Sequence, residues 1–265
     1  MAHATNYPVR VEGELGPVTR WMWLVKWILA IPHWIVLFFL RIAFAILTVI
    51  AFFAILITAR YPRSIFTFNV GVLRWRWRVN FYTYWALGTD RYPPFTLAEV
   101  DDYPAKFSVD YPERLSRGLV LIKWWLLVIP HLIVIGFFTG IAVWTTRDGE
   151  AGWVWKSEDM PAVWTDDYGK YVAVPGLIFV LVAFAAIALL FAGRYPRGIF
   201  DFVLGMNRWL LRVLAYRSLM TDRYPPFRME PGGRDPGRPA RPTTPPAEGG
   251  DEGGDEMPVS GGGTA

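Results

Sequence analysis

The chain alternates long apolar stretches with short polar segments rich in arginine. Residues 42–59, 124–146 and 171–193 contain no charged side chain, and residues 21–40 contain only Lys26. About 20 helical residues cross the ~30 Å core of a bilayer. The pattern therefore predicts four transmembrane helices, at about residues 21–40, 42–59, 118–143 and 172–193.

The apolar stretches belong to an internal duplication. Arg-Tyr-Pro-Arg-Ser-Ile-Phe at 60–66 returns as Arg-Tyr-Pro-Arg-Gly-Ile-Phe at 194–200, and Thr-Asp-Arg-Tyr-Pro-Pro-Phe occurs unchanged at 89–95 and 221–227. Ile-Pro-His occurs at 31–33 and again at 129–131. Identities of this length predict two copies of one unit, the first membrane repeat at residues 7–95 and the second at 103–227. In this alignment Arg41 lies opposite Pro175, the start of the fourth span, so Arg41 is predicted to mark a tight turn between the first two spans.

The second repeat contains an insertion, about residues 145–171, between its two spans. The insertion carries more acidic than basic residues, whereas the segments after spans two and four are rich in arginine. Because loops rich in Lys and Arg stay in the cytoplasm, the insertion is predicted to face outward. Each repeat then runs in–out–in, the repeats are parallel, and both termini are cytoplasmic. The first twenty residues lack a basic region followed by a cleavage site, so no cleaved signal peptide is expected.

A basic and aromatic segment follows each pair of spans, at about 64–87 and 197–219. Arginines common to both copies lie four residues apart, at 74 and 78 and at 208 and 212, which puts each pair on one helical face. The segments are predicted to be amphipathic helices at the membrane interface, although Arg74, Arg76 and Arg78 also alternate with tryptophan as in a strand. The candidate ligands of lipid headgroups are Arg74, Arg76, Arg78, Arg208 and Arg212.

The remaining segments are shorter or polar. Residues 9–12 and 106–110 alternate apolar and polar side chains, which predicts short strands that could pair with each other. Residues 228–265 are rich in Pro, Gly and acidic residues and are predicted to be a disordered tail. The expected fold is therefore an all-α integral membrane protein with two parallel in–out–in repeats, each followed by an interfacial helix.

Composition agrees with a membrane protein and limits the chemistry. Hydrophobic residues make up 53% of the chain and charged residues 19%, below the roughly 25% charge of ordinary soluble domains. The chain has no cysteine, which excludes disulfides and thiolate chemistry. We expect no metal site, no cofactor and no catalytic residues, because no metal-ligand cluster, Ser/His/Asp arrangement or phosphate loop occurs in the sequence.

These motifs together resemble a known family. The order Tyr-Pro-Val-Arg-Val-Glu-Gly, Lys-Trp with Ile-Pro-His, Arg-Tyr-Pro-Arg-x-Ile-Phe and Thr-Asp-Arg-Tyr-Pro-Pro-Phe is similar to the bacterial membrane family catalogued as domain of unknown function 4389. The resemblance covers about residues 7–227. It implies a protein of the bacterial inner membrane with two tandem copies of the unit, and it implies no activity.

Two histidines are candidate polar groups inside the membrane. His33 and His131 each follow a proline within a predicted span, and an ionisable residue inside a membrane is a functional candidate by default. They could form a proton or ion relay. Alternatively, each imidazole could bond the backbone that the proline frees or a neighbouring helix, and no carboxylate accompanies them in the spans.

The repeated turn elements are a third set of candidates. They could form a binding surface built twice, Asp90 and Asp222 could pair with Arg63 and Arg197, or Tyr-Pro could simply fix the turn where the chain leaves lipid. The residues of this set are Arg60, Tyr61, Pro62, Arg63, Arg194, Tyr195, Pro196, Arg197, Asp90, Arg91, Asp222 and Arg223.

The leading functional hypothesis is a non-enzymatic membrane scaffold or accessory protein. It would engage anionic lipid headgroups and a protein partner or a second copy of itself. The alternatives are a small oligomeric transporter or channel that uses His33 and His131, and a membrane enzyme acting on lipid. No nucleic acid partner is expected, because the tryptophans among the arginines favour a membrane.

Overall fold

A computed structural model describes residues 7–146, 151–154, 165–166 and 169–235, with side chains for 7–140 and 174–235. The described chain is mostly helical. Its elements are β1 (Val9–Gly13), α1 (Lys26–Thr58), α2 (Arg63–Tyr82), β2 (Ala105–Val109), α3 (Arg117–Lys123), α4 (Ile129–Thr139), β3 (Gly140–Thr146), β4 (Ala151–Val154), β5 (Thr165–Asp166), β6 (Gly169–Pro175), α5 (Leu177–Ala192) and α6 (Arg197–Arg217).

Helix α1 is a single helix of 33 residues. In the part of the chain that the structure describes, it is the one helix long and apolar enough to cross a membrane, and α4 and α5 are apolar but shorter. The helix continues through Arg41, so the predicted turn there and the division into spans at 21–40 and 42–59 are wrong. Arginine is a good helix former, and a lone charge in an apolar run does not end a helix.

In the second repeat, the part of the chain that corresponds to α1 is divided into α3, α4 and α5. We call α1 the helical row of the first repeat, and α3, α4 and α5 together the helical row of the second. Strand β3 leaves α4 at Gly140, whose φ of 98° favours glycine, and β6 returns to α5 with Pro175 paired to Gly140. The strands between them form a sheet in the order β4-β3-β6-β5. The insertion thus begins before residue 145, and its described residues form a β-sheet, which corrects the all-α prediction and shortens the predicted spans 118–143 and 172–193. The run after Gly140 is rich in β-branched and aromatic residues, which favour strands.

The openings of the two repeats form a small antiparallel sheet, as the sequence predicted. Strand β1 pairs with β2 so that Val11 lies opposite Phe107. These two residues hold the same position in their repeats, four residues after Tyr7 and Tyr103. Because equivalent residues face each other in antiparallel strands, an approximate two-fold axis passes through this pair and relates the two copies.

Each strand packs on the helix of the other repeat. Helix α2 contacts β2, and α6 contacts β1. The Arg74 Nε donates to the Phe107 carbonyl and the Arg208 Nε donates to the Val11 carbonyl, both at 3.0 Å. The repeats therefore exchange their first strands and share one core.

The long rows of helix form a separate layer, which we call the apolar layer and define as α1, α3, α4 and α5. Helix α1 packs on α2, and α4 and α5 pack on α6, so α2 and α6 lie between this layer and the β1–β2 sheet. The Leu115 N–H donates to the Ala59 carbonyl at 2.9 Å, and Arg20 lies against Gly193. The end of each row thus meets the beginning of the other, and the two rows run antiparallel.

The start of the predicted disordered tail is ordered. Residues 228–235 pack on α6 and β1, where Asp235 is 3% exposed and accepts a hydrogen bond from the Val11 N–H at 3.0 Å. The tail prediction is therefore wrong for these residues, because the arginines of α6 supply partners for their carbonyl and carboxylate groups. Residues 236–265 lie outside the described part.

Candidate functional site

The repeated Thr-Asp-Arg-Tyr-Pro-Pro-Phe element holds the beginning of each long row. In the first repeat, the buried Lys26 ammonium lies 2.9 Å from a carboxylate oxygen of Asp90 and donates to the Thr89 carbonyl at 2.7 Å. The second Asp90 oxygen accepts from the Thr19 N–H. The motif therefore neutralises a buried cation and orients the chain that enters α1.

The second repeat builds the same arrangement. Lys123 lies 2.7 Å from Asp222 and donates to the Thr221 carbonyl at 3.2 Å, while Asp222 accepts from the Ser116 N–H at 2.6 Å. The proposed pairing of Asp90 and Asp222 with Arg63 and Arg197 is thus wrong. Lysines inside the helical rows reach the carboxylates instead.

Each candidate histidine lies in an aromatic cluster of its own repeat. The Nδ1 of His33 accepts from the Trp75 indole N–H at 3.1 Å, and the Nδ1 of His131 accepts from that of Trp209 at 3.0 Å. The rings stack on Phe95 and Phe227, with centroids 4.0 and 4.1 Å apart. Acceptance at Nδ1 assigns the neutral tautomer with the proton on Nε2.

The two histidines are therefore not brought together as one relay. Both Nε2 atoms are buried and lack a hydrogen-bond partner among the described residues. Across these same residues, no group of three or more His, Asp or Glu side chains could hold a metal ion. A role of His33 and His131 in ion movement stays a prediction.

Tyrosine from the same motif completes each cluster. The Tyr92 hydroxyl donates to the Leu29 carbonyl at 3.0 Å, and the Tyr224 hydroxyl donates to the Leu127 carbonyl at 3.2 Å. Leu29 and Leu127 each lie three residues before a proline, Pro32 and Pro130, and a proline cannot donate a backbone hydrogen bond to the helix. The Ile-Pro-His and Tyr-Pro-Pro-Phe elements are thus two halves of one packing unit.

Three of the five arginines proposed to bind lipid lie in the interior. Arg78, Arg208 and Arg212 are 1%, 1% and 3% exposed. Arg78 donates to the carbonyls of Thr96 and Ala98. Burial lowers the pKa of Arg78 and of Arg208 from its ordinary value.

In the second repeat, Arg208 and Arg212 bind the residues that follow the Thr-Asp-Arg-Tyr-Pro-Pro-Phe element. Arg208 donates to the Glu230 carbonyl and, at 2.8 Å, to that of Gly232. Arg212 pairs with Asp235 at 3.1 Å and with Glu230 at 2.8 Å. Helices α2 and α6 were predicted as helices and are helices, but they are largely buried. Headgroup binding by these arginines stays a prediction.

The Arg-Tyr-Pro-Arg elements begin α2 and α6. Pro62 and Pro196 immediately precede the two helices. The Tyr61 hydroxyl accepts from the Asn69 amide at 2.9 Å, and burial raises its pKa to about 12. Tyr195 donates to the Ala86 carbonyl at 2.9 Å. The four arginines of these elements, Arg60, Arg63, Arg194 and Arg197, remain exposed.

The arginines of the second repeated element lie at the exchanged strands. The Tyr103 hydroxyl donates to the Arg91 carbonyl at 3.2 Å, and the Tyr7 hydroxyl donates to the Arg223 carbonyl at 3.0 Å. Each tyrosine opens one repeat and binds the motif that closes the other. Arg91 also pairs with Asp102.

A cavity of about 750 Å³ lies between the two repeats and was not expected from the sequence. Arg41 of α1, Arg76 of α2 and Arg217 of α6 line it together with apolar side chains of α4, α5 and α6. No carboxylate lines it among the residues that the structure describes. Arg41 and Arg217 were not predicted as site residues, because each is a single arginine that does not recur in the other repeat and the sequence does not show that the fold places them at one cavity.

Comparisons with known proteins identify a family and nothing closer. The sequence profile described as "Domain of unknown function (DUF4389)" matches residues 20–96 and 172–228, just over half of the chain. No curated protein and no solved structure matches the chain. The two matched segments fall in the two repeats, one in each. The chain therefore belongs to the DUF4389 family, as a member with two copies of the unit.

Proposed function

We propose that this protein is a non-enzymatic membrane scaffold that inserts its apolar layer into a bilayer and engages anionic lipid headgroups at the ends of that layer. The exposed apolar surface carries the proposal. Only a narrow stripe of α1 is buried, which includes Ala30, His33, Leu37 and Ile55. The most exposed side chains of the layer are Phe39 at 64%, Ile57 at 71%, Ile133 at 62%, Phe137 at 65% and Phe191 at 79%.

An apolar surface along both rows needs an apolar solvent. Soluble monomers rarely expose apolar patches of more than a few hundred Å², and helices that are apolar on nearly all sides are buried or lie in a membrane. By contrast, the β1–β2 sheet on the other side of α2 and α6 carries exposed charge at Arg10 and Asp110. One side of the molecule thus suits lipid and the other suits water.

We further propose that α1 lies along the membrane plane rather than across it. At 1.5 Å per residue the 33 residues of α1 extend about 50 Å, against a bilayer core of ~30 Å. The two rows are antiparallel, and both have α2, α6 and the β1–β2 sheet on the same side. This arrangement suits a layer that lies in the plane of the membrane interface with that polar side towards water. Four in–out–in spans would require the turn at Arg41 that α1 lacks.

The charges at the ends of the layer support this orientation. Arg60, Arg114 and Arg117 line one hollow where α1 ends, and Arg20 lies beside Gly193 at the opposite end. Each basic residue near an anionic surface contributes about 1 kcal/mol of attraction. With α1 in the membrane plane, both ends of the apolar layer lie on the same side of the membrane, where the arginines at both ends can contact headgroups. We place this surface at the bacterial inner membrane, with a protein partner or a second copy on the water-facing side.

Flotation tests the proposed function. The protein would be synthesised without cells in the presence of vesicles of phosphatidylcholine alone or with phosphatidylglycerol, and the fractions assayed after a carbonate wash. We expect flotation with both vesicles and several-fold higher recovery with the anionic ones. Changing Arg60, Arg114 and Arg117 to Gln should remove the preference, while the control Arg10→Gln should keep it. Soluble protein that ignores vesicles would refute membrane insertion.

Cysteine labelling tests the orientation, and the chain has no native cysteine to interfere. Single-cysteine variants of Trp21, Ile42 and Ser64 would be treated with a membrane-impermeant maleimide in vesicles of each sidedness. Insertion in the plane predicts labelling of positions 21 and 64 from the same side and none at 42. Labelling of 42 from the opposite side would support four spans, and labelling of 21 and 64 from opposite sides would support a single crossing.

A further inference from the structure

The cavity between the repeats differs from the rest of the molecule because its arginines break the internal symmetry. The arginines that serve the fold occur in both copies, such as Arg74 with Arg208 and Arg78 with Arg212. These bind backbone carbonyls and carboxylates of the protein.

The three arginines that line the cavity have no such counterparts. The position of Arg76 is Leu210 in the second copy, that of Arg217 is Thr83 in the first, and that of Arg41 is Thr139 or Pro175, depending on which side of the insertion the copies are aligned. Leu210 lines the same cavity. Because Arg76 and its counterpart Leu210 both line it, the cavity lies across the two-fold axis, and Arg41, Arg76 and Arg217 each have an uncharged counterpart in the other copy.

The position of Arg41 adds an independent argument. It is the only charged residue between Lys26 and Arg60, and it lies in the middle of α1 within the apolar layer. A charged residue in a membrane segment is costly and faces a functional cavity or a partner. Here it lines the cavity with Arg76 and Arg217.

The remaining walls suit a hydrocarbon chain. They include Leu132 and Ile135 of α4, Ile178 and Phe179 of α5 and Leu214 of α6. The volume of about 750 Å³ falls within the roughly 300–1,000 Å³ of small-molecule sites. Guanidinium groups recognise phosphate through paired hydrogen bonds, so cationic and apolar walls together select an anionic amphiphile.

We propose that this cavity binds one anionic lipid, with its phosphate at Arg41, Arg76 and Arg217 and an acyl chain along α4 and α5. The lipid deepens the proposed function, on which this inference rests, because it is a specific ligand rather than part of the surrounding bilayer. The cavity lies across the two-fold axis and has no separate counterpart, so each molecule binds a single lipid there.

Native mass spectrometry of the full chain released from mild detergent tests the site, with added phosphatidylglycerol, phosphatidylcholine or inorganic phosphate. We expect one retained phosphatidylglycerol, retained at least tenfold more than phosphatidylcholine. Changing Arg41, Arg76 and Arg217 to Gln should abolish retention. The matched control, with Arg10, Arg228 and Arg234 changed to Gln, loses the same charge away from the cavity and from the ends of the apolar layer, and should keep the lipid.

A second variant protects the test against misfolding. Ile135→Trp fills the apolar wall, keeps all three arginines and should also expel the lipid. Retention of the lipid at the wild-type level in both cavity variants, or equal retention of the neutral lipid by the wild type, would overturn the proposal. Displacement of the lipid by inorganic phosphate would assign a free-anion site instead. If lipid retention fails while flotation succeeds, only this inference falls, whereas failed flotation removes the membrane function itself.

Discussion

At the scale of the residue, buried charges hold the segments that follow the repeated motifs. Asp235 is buried, lies 3.1 Å from Arg212 and 3.7 Å from Arg208, and accepts from the Val11 N–H. The sequence identified the arginines but not this acceptor, because a Pro/Gly-rich stretch with acidic residues has the composition of a disordered tail. An ion pair between residues far apart in sequence leaves no periodic signal.

Removal of the Asp235 carboxylate should destabilise the fold strongly. Asp235→Ala leaves two buried guanidinium groups without this partner, and breaking a buried pair costs about 3–5 kcal/mol. Denaturant unfolding in mild detergent measures the change. The exposed Asp101→Ala should stay within about 0.5 kcal/mol of the wild type. Equal midpoints for both variants would contradict the role given to Asp235.

The histidines are expected to act with their tryptophans. His131 accepts from Trp209, so loss of either leaves a buried polar group unpaired, at about 1–3 kcal/mol. A double-mutant cycle with His131→Leu and Trp209→Phe should therefore show a coupling energy of at least about 0.5 kcal/mol. The equivalent cycle at His33 and Trp75 is the internal replicate. Additive effects in both repeats would remove the case for a structural role.

Buried tyrosines should make the fold sensitive to alkali. Burial raises the pKa of Tyr61 from 10.0 to about 12, so its stabilising contribution is complete below pH 10 and is lost as the pH rises to 12. The loss amounts to about 1.4 kcal/mol per unit of pKa difference. Unfolding midpoints between pH 8 and pH 11.5 measure it, and Tyr61→Phe should flatten the curve. The same slope in the variant would assign the alkaline loss to other groups.

At the scale of the element, the positions of the apolar stretches were easier to predict than how each stretch is divided into helices. The sequence indicated helices at about 64–87 and 197–219, which the structure has at Arg63–Tyr82 and Arg197–Arg217. It also indicated paired strands at 9–12 and 106–110, which lie at Val9–Gly13 and Ala105–Val109. The sequence did not distinguish one helix of 33 residues from two spans. An arginine such as Arg41 within an apolar stretch can mark a turn between two helices, or it can lie inside one helix with its side chain against a neighbouring element. The β-sheet of the insertion was missed because hydropathy alone cannot distinguish a buried strand from a helix.

The insertion sheet should be removable. Deleting residues 140–175 joins Thr139 to Gly176, whose counterparts are consecutive in α1, so α4 and α5 should fuse into one helix. We expect cooperative unfolding and a larger helical fraction by circular dichroism. Deletion of 140–173 is the control, since two extra residues rotate α5 by about 200° and should lower the midpoint. Loss of folding in the first variant alone would show that the sheet is required.

At the scale of the whole molecule, the exchange of strands organises the fold. The motifs predicted the duplication but not the exchange, because internal identity does not show which copy a strand packs against. Each first strand needs the helix of a second unit, as the bonds from Arg74 to Phe107 and from Arg208 to Val11 demonstrate. A single unit is thus incomplete by itself.

The first repeat alone should therefore dimerise. In a fragment of residues 1–98, two β1 strands can pair with Val11 opposite Val11, and each Arg74 can bind the partner's strand. Light scattering in detergent should give a dimer for the fragment and a monomer for the full chain. Val11→Asp, which buries a charge at that pair, should leave the fragment monomeric or unfolded. A stable monomeric wild-type fragment would contradict the exchange.

Covalent fusion of the two copies has a consequence for a site on the two-fold axis. A symmetric dimer of identical chains must place every side chain on both sides of its axis, and any ligand site beside the axis is duplicated or blocked. When one chain encodes both halves, each half can change independently of the other. Arg41 and Arg76 in the first half and Arg217 in the second illustrate that freedom, because each stands where the other half has an uncharged residue. The duplication thus permits one site on the axis whose two sides differ in charge, which two identical copies could not provide.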